Sequence, residues 1–330
     1  MKAKTLMTTV AALVPALLAS AAALAAPASD AGTFPAHPIR LVVPFPPGGP
    51  TDLVSRVIAK RMSDELGQQV LVDNRPGANG NIAADIVAKA PADGYTVLYN
   101  TSSIALSPAL YSKLSYDVRR DFAPVVLTAM VPLVLEVNAQ LPVHNVKEFI
   151  QYAKAHPDKL TYGSAGNGNV THLAAFLFLQ ANGLNAVHAP YKGSAPALTD
   201  LAGGQVQFMT DTINSSLPFI RDKRMRALAV TSSTRSSQLP DVPTVAETVM
   251  PGFEVGAWQG MMVPAKTSPE IVRKLNATTM KALANPETRA ALAAQGAEPR
   301  GSTPEAYASY LSAEMTRWRK VVKDSGATLD

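Results

Sequence analysis

The apolar run Ile39-Arg40-Leu41-Val42-Val43-Pro44 breaks into Phe45-Pro46-Pro47-Gly48-Gly49-Pro50-Thr51-Asp52 and resumes as the helix-like Leu53-Val54-Ser55-Arg56-Val57-Ile58-Ala59-Lys60. Strand, glycine turn and helix start make one half of a βα unit, and a chain that opens this way is directed toward a layered α/β fold. The glycines let the backbone approach a ligand closely, and the first helical turn aims unpaired N–H groups at it. A carboxylate or phosphate can be held there without a charged side chain. The prolines stiffen the loop and lower the ordering cost of binding. Phe45, Gly48, Gly49, Thr51 and Asp52 are therefore candidate ligand contacts; the plainer alternative is an ordinary tight turn. Asp52 complements the positive helix end. Facing a bound anion, it would weaken binding unless the ligand also carries an amine.

Residues 1–25 read as a signal peptide. Lys2 and Lys4 give a basic start, 6–24 is apolar and alanine-rich, and Ala23-Leu24-Ala25 fits a small-x-small cleavage site. Pro15 inside the run and the lack of a charged stop argue against a retained anchor, and no later stretch reaches the ~20 apolar residues of a membrane span. Removing Lys2 and Lys4 lowers the formal charge from +5 to +3. That balance is mild and scattered, with no basic block interleaved with aromatics, so no nucleic-acid partner is expected. Cysteine is absent, which removes disulfides, thiol nucleophiles and lipid attachment. The expectation is a freely diffusing monomer of the periplasm.

From Ile39 onward, strand and helix patterns alternate. Strands read at 39–44, 70–73 and 96–100, with helices at 52–66 and 81–90 between them. The β-rich run 122–137, broken by Pro124 and Pro132, reads as a connecting strand pair. A second alternating set follows: helices at 146–155, 169–182 and 195–202, strands at 160–163, 186–189, 206–210 and 225–231. After a proline-rich loop over 232–251 come a strand at 258–264 and helices at 268–284, 286–295 and 303–322. The pattern predicts two α/β lobes with parallel sheets and a ligand in the cleft between them. The boundaries are 31–130 plus 255–330 for domain one and 131–254 for domain two.

A second glycine loop, Tyr162-Gly163-Ser164-Ala165-Gly166-Asn167-Gly168-Asn169-Val170-Thr171-His172, joins strand to helix in the other lobe. Ser164, Asn167 and Thr171 are hydrogen-bonding candidates, the backbone at Ala165 is exposed by its glycines, and His172 sits on the first turn. The alternative is loop flexibility with Asn169 as a cap and His172 as a packed histidine. Thr101 and Ser102 end a strand at the expected cleft edge, and Asp211 ends another in lobe two. Lys192 offers a cation, though a solvated lysine is commoner. Catalytic motifs are missing: there is no Gly-x-x-x-x-Gly-Lys, His-Glu-x-x-His or Ser-x-x-Lys. The five histidines form no pair at i, i+4, so no zinc or other metal is expected, and Pro-Pro-Gly-Gly is not a dinucleotide fingerprint. No cofactor is expected.

These residues carry a resemblance. The 38–52 segment is similar to that of the extracytoplasmic receptors of tripartite tricarboxylate transporters, the Bug receptors. So are Val72-Asp73-Asn74-Arg75-Pro76-Gly77-Ala78, Pro91-Ala92-Asp93-Gly94-Tyr95-Thr96, Tyr162-Gly163-Ser164-Ala165-Gly166, Pro190-Tyr191-Lys192-Gly193, Leu239-Pro240-Asp241-Val242-Pro243-Thr244 and Trp258-Gln259-Gly260. The resemblance implies a periplasmic binding protein of type II: two α/β lobes on a hinge that close on a small organic carboxylate, with no catalysis and no metal. It further implies that Phe45, Gly48, Gly49 and Asp52 hold one ligand carboxylate, that the 164–172 loop meets it from the other lobe, and that membrane permease subunits recognise the closed form. Two rival expectations stand beside it. One is a sensory partner presenting its loaded form to a membrane kinase. The other is a periplasmic serine hydrolase using Ser164 and His172, although no third group orients the histidine.

Overall fold

The computed structural model describes residues 34–157 and 159–329; the expected signal peptide lies outside them. The first set of elements is β1 (Ile39–Val43), α1 (Pro50–Leu66), β2 (Val70–Asn74), α2 (Asn81–Ala88), β3 (Thr96–Thr101), α3 (Ser103–Leu110) and β4 (Phe122–Asn138). The second is α4 (Val146–Ala155), β5 (Thr161–Ser164), α5 (Val170–Asn182), β6 (Val187–Pro190), α6 (Ser194–Ala202), β7 (Phe208–Thr212), α7 (Ile213–Arg221) and β8 (Met225–Val230). The chain ends with α8 (Val245–Thr248), β9 (Gly256–Pro264), α9 (Pro269–Ala284), α10 (Pro286–Ala294), β10 (Glu298–Pro299) and α11 (Pro304–Ser325). Local chemistry sets many helix starts. Asn145, Asn169, Ser268, Asn285 and Thr303 each cap a helix through the side chain, with proline in the first turn of α9, α10 and α11.

The strands form two sheets that share β4. In the first, β1 pairs parallel with β2 and β3, β3 pairs antiparallel with β9, and β9 pairs antiparallel with β4. In the second, β5 is parallel to β6 and β7, while β7 and β8 flank the far half of β4 in antiparallel register. Alternation along β1 sends Ile39, Leu41 and Val43 into one core with Val54, Ile58 and Met62 of α1 and Ile271 and Leu275 of α9. Val42 points the other way, into the core that holds Ile104, Tyr307, Leu311 and Trp318. In the second sheet, Leu133, Leu135 and Val137 join Phe149, Phe178 and Phe208.

Two expectations are corrected. The 122–137 run is one continuous strand, not a strand pair: register shifts between Pro124 and Val126 and between Leu127 and Ala129 absorb its irregularities. Helices α3 and α7 were not expected from the pattern. Each carries an interior proline, Pro108 or Pro218, which breaks the helical signal in the sequence, yet both are short enough for the lost hydrogen bond to be tolerated.

Candidate functional site

A cavity of about 510 Å³ lies where β1, β3, β5, β6 and β7 end and the helices following them begin. Gly49, Pro50 and Thr51 bring the start of α1 to it, Ser102 and Ser103 that of α3, and Asn169, Val170 and Thr171 that of α5. Gly193 and Ser194 bring the start of α6, and Thr212 and Ser215 that of α7. Five helix N-termini therefore meet at one place. Each carries orphan amides and a partial positive charge. Placement at the carboxyl ends of parallel strands is the usual ligand position in α/β sheets. Phe45, Pro46, Pro47, Leu106, Val131 and Ala257 supply apolar wall. No lysine, arginine or histidine lines the cavity among the described residues, and its single ionisable lining residue is Asp211.

Of the residues expected from the sequence, Phe45, Gly49, Thr51, Thr101, Ser102, Ala165, Thr171 and Asp211 stand together on this cavity. Some of their polar groups are already engaged: the Ala165 amide donates to Thr171 Oγ1 at 2.9 Å, and Thr101 Oγ1 lies 2.9 Å from Ser103 Oγ. Gly48, Asp52, Ser164, Asn167 and His172 do not line it. Asp52 is almost fully buried and turned inward. Its carboxylate accepts from the Gly48 amide, Arg56 Nε and Asn74 Nδ2, each at 2.9 Å. Burial acts to raise its pKa, but these bonds outweigh burial and hold it below the ordinary value. Asp52 thus pins the turn whose far side faces the cavity.

Asn167 turns to the C-terminal segment, donating to the Thr328 carbonyl at 2.9 Å. His172 is buried behind the loop, where its Nδ1 accepts from the Gly168 amide at 3.1 Å. Its ring stacks on His188 with centroids 3.8 Å apart and planes 5° apart. Ser164 is fully buried, and its Oγ meets His188 Nε2 at 2.7 Å, not His172. Burial, and for His172 also the neighbouring imidazole, pulls the pKa down to about 3 at His172 and about 4 at His188. Both rings are neutral near pH 7 and serve the packing beneath the loop. Lys192 does not line the cavity.

Three further residues are part of the site's construction: Gln259 and Glu136, which pattern reading passed over, and Asn79, whose 74–81 loop reads from the sequence as a second anion loop or, equally, a capped βα turn. Gln259, 2 % exposed, lines the cavity from β9, and its Oε1 accepts from Tyr99 Oη at 2.8 Å. That bond fixes the amide and leaves its NH₂ as the group available to a ligand. Asn79, on a turn with φ of 54° between β2 and α2, also lines the cavity. Glu136 is fully buried in β4, near Asp211 on β7; its Oε1 accepts from Ser216 Oγ at 2.8 Å and its Oε2 has no partner. The signal for both Gln259 and Glu136 was a polar residue inside an otherwise apolar strand. Burial first, then the Asp211 charge, pushes the Glu136 carboxyl well above its usual range. Asp211 Oδ1 accepts from Ser194 Oγ at 2.9 Å, the Thr212 amide at 2.5 Å and Thr212 Oγ1 at 3.2 Å, while Oδ2 has no partner. Its pKa is pushed up by burial to about 6.

A two-sheet α/β protein with helix N-termini gathered around one cavity has the build of a solute-binding receptor. Residues 54–327 match the model of the tripartite tricarboxylate transporter family receptor, and the chain belongs to that family. It is 41% identical over 310 residues to Protein BugT of Bordetella pertussis, covering 93% of this chain and 95% of that protein. A Rhodopseudomonas palustris protein solved with adipate superposes with a TM-score of 0.79 at 41% identity, over 89% of this chain and 99% of that one. MatC from Rhodopseudomonas palustris, solved with bound malate, gives a TM-score of 0.72 at 36% identity, over 88% and 100%. The family is one of receptors, and no helix among the described residues is long and apolar enough to cross a membrane.

Proposed function

We propose that the protein is a periplasmic receptor that captures a small organic carboxylate in this cavity and hands it to the membrane permease subunits of a tripartite transporter. The observation that carries the reading is the meeting of five helix N-termini at a cavity whose lining holds no cationic side chain among the described residues. Such a place binds an anion through backbone amides and hydroxyls alone. Relatives that hold adipate and malate support the same ligand class.

We take 31–130 plus 255–330 as one lobe and 131–254 as the other; the two sheets that share β4 support this division. The chain crosses between them along β4 and again just before β9, where Pro132 stands opposite Gly256. Thr231 links both crossings: its Oγ1 donates to the Val255 carbonyl at 2.5 Å and accepts from the Leu133 amide at 2.9 Å. Closure about these segments brings the amides of α1 and α3 against those of α5, α6 and α7. A ligand favours the closed state only through contacts it gains there, and ends held by different lobes supply that gain. The protein works as a monomer delivered by a cleaved signal peptide. A binding rather than a catalytic role is supported by the place of Ser164, fully buried with its Oγ on His188 Nε2 rather than on His172.

Calorimetric titration of the purified protein with matched mono- and dicarboxylates tests the reading, together with small-angle scattering with and without ligand. Saturable binding with a decrease in radius of gyration is expected. Absence of heat and of any melting shift across the panel, or ester turnover that vanishes in Ser164→Ala, would overturn it.

A further inference from the structure

Besides the bonds at the chain crossings, two side-chain amides bridge the proposed lobes, and neither residue lines the cavity. Asn167, exposed on the 164–172 loop, donates from Nδ2 to the Thr328 carbonyl at 2.9 Å. Thr328 lies in the segment after α11, which starts at the cap residue Gly326 with φ of 67°. The Leu329 amide fixes that segment to the Leu110 carbonyl of α3 at 2.9 Å, and Ala327 is buried. The loop and α3 are closely fitted here, since a Cβ on Gly168 would stand 2.5 Å from Leu110 Cδ2. Helices α5 and α11 meet again where Gln180 Nε2 donates to Asp324 Oδ2 at 3.4 Å. On another border, the half-buried Gln238 donates from Nε2 to the Ala293 carbonyl near the end of α10 at 2.8 Å. Its Oε1 accepts from Arg221 Nη2 of α7 at 3.4 Å. Gln238 stands in a cleft of about 320 Å³ that shares Pro50 and Ser215 with the ligand cavity. The chemistry is the same at both places. A neutral amide from 131–254 reaches a carbonyl at or just past the C-terminal end of a helix from 255–330, where carbonyls lack intrahelical partners.

We infer that Asn167 and Gln238 are positioning residues that set affinity without touching ligand: they clasp the two lobes and keep a fraction of the unloaded receptor closed. This rests on the reading of 31–130 plus 255–330 and 131–254 as lobes that close on a carboxylate. The apparent association constant of a ligand for a closing receptor is its constant for the closed form multiplied by the fraction already closed. A clasp therefore scales the affinity of every ligand by one common factor. A side chain that touches ligand instead weights one acid against another. The net worth of one amide hydrogen bond changes the ratio of closed to open by roughly twofold to tenfold, and the exposed Asn167 belongs at the lower end of that range.

The test uses the whole chain with Asn167→Ala, Gln238→Ala and both together, thermal melts confirming that each variant is folded. Small-angle scattering of the ligand-free proteins should give a larger radius of gyration for the double variant than for wild type, with the loaded forms alike. Calorimetry with malate, adipate and whichever other members of the carboxylate panel bind wild type should show the same loss for each acid. The expected loss is about two- to fivefold in each single variant and about tenfold in the double variant. An unloaded double variant no larger than wild type, an unchanged affinity, or a loss that falls on one acid and spares another overturns the inference and leaves the receptor reading intact. If no acid of the panel binds wild type, the receptor reading fails, and the radius of the unloaded double variant still decides the clasps.

Discussion

Replacing Asp211 by Asn should stabilise the ligand-free protein at neutral pH, and the size of the effect follows from its burial. The carboxyl titrates at about 6 in the folded chain against an ordinary 3.8, so the folded state holds this proton more tightly than the unfolded state does. The sign follows by linkage: the native carboxyl suffers no penalty below about pH 4, where both states are protonated. Stability is then lost as pH rises from about 4 to 6, and the loss is complete above about pH 7. The span corresponds to about 3 kcal/mol. An Asn side chain keeps the acceptor for Ser194 and Thr212 but places an amide group where Oδ2 stood, which offsets roughly 1 kcal/mol of the gain. The remaining ~2 kcal/mol is worth about 4 °C in a chain of this size. His172 and His188, whose pKa values are lowered to about 3 and 4, act in the opposite sense. Their contribution is present above about pH 6.5 and is lost as pH falls toward those values. Both proteins share it, so the observable is the difference between variant and wild-type urea midpoints at constant ionic strength from pH 4.5 to 8. That difference should be near zero at the acid end and grow with pH to a plateau above 7. A pH-independent difference, or a variant less stable than wild type at pH 7.5, would refute the argument that Asp211 is held charged at the expense of folding.

The remaining predictions concern parts that shape the site without lining it. Asp52→Ala removes the acceptor for the Gly48 amide, Arg56 and Asn74. With the Arg56 contribution discounted because its side chain is half exposed, about 2–4 kcal/mol of stability is lost, and carboxylate affinity should fall at least tenfold by calorimetry because the turn must be ordered on binding. Gly168→Ala places a Cβ 2.5 Å from Leu110 Cδ2 at a φ of +67°, and a melting temperature lower by several degrees is expected, with ~1–3 kcal/mol lost to strain and overpacking. Thr231→Val keeps the shape but leaves the Leu133 amide and the Val255 carbonyl without their buried partner. About 1–3 kcal/mol should be lost, and scattering should show a smaller difference between free and loaded forms. Gln259→Leu removes one partner of the Tyr99 hydroxyl, which keeps Thr128 Oγ1 at 3.1 Å, and removes the cavity amide, so affinity should drop by tenfold or more while the melt shifts by only a few degrees.

The parts legible in the sequence are those that local chemistry determines. The turn from β1 to α1 and the loop from β5 to α5 announce themselves because glycine, proline and a capping residue act within a few positions of one another. Parallel strands then place the helix starts on one edge without further instruction. Asp52 shows the limit. A carboxylate in the first helical turn next to a ligand loop looks like a ligand contact, and only Asn74, on a neighbouring strand end, together with the Gly48 amide reveals that it faces inward. His172 was hidden in the same way, since its partner His188 arrives from a strand formed later in the chain. Gln259 and Glu136 lie within apolar strands whose role depends on which strand lies alongside, and periodicity carries no information on that. The loops that line the cavity are therefore written in short range, whereas Asp211 and Gln259, which line it from strands, and the buried Glu136 near Asp211 are set by pairing over long range. One consequence is that relatives can keep the 45–52 turn and still differ in ligand. Exchanging the side chain at position 259, which lines the cavity from β9, should therefore change the order of affinities across a carboxylate panel by calorimetry while the 45–52 turn stays as it is.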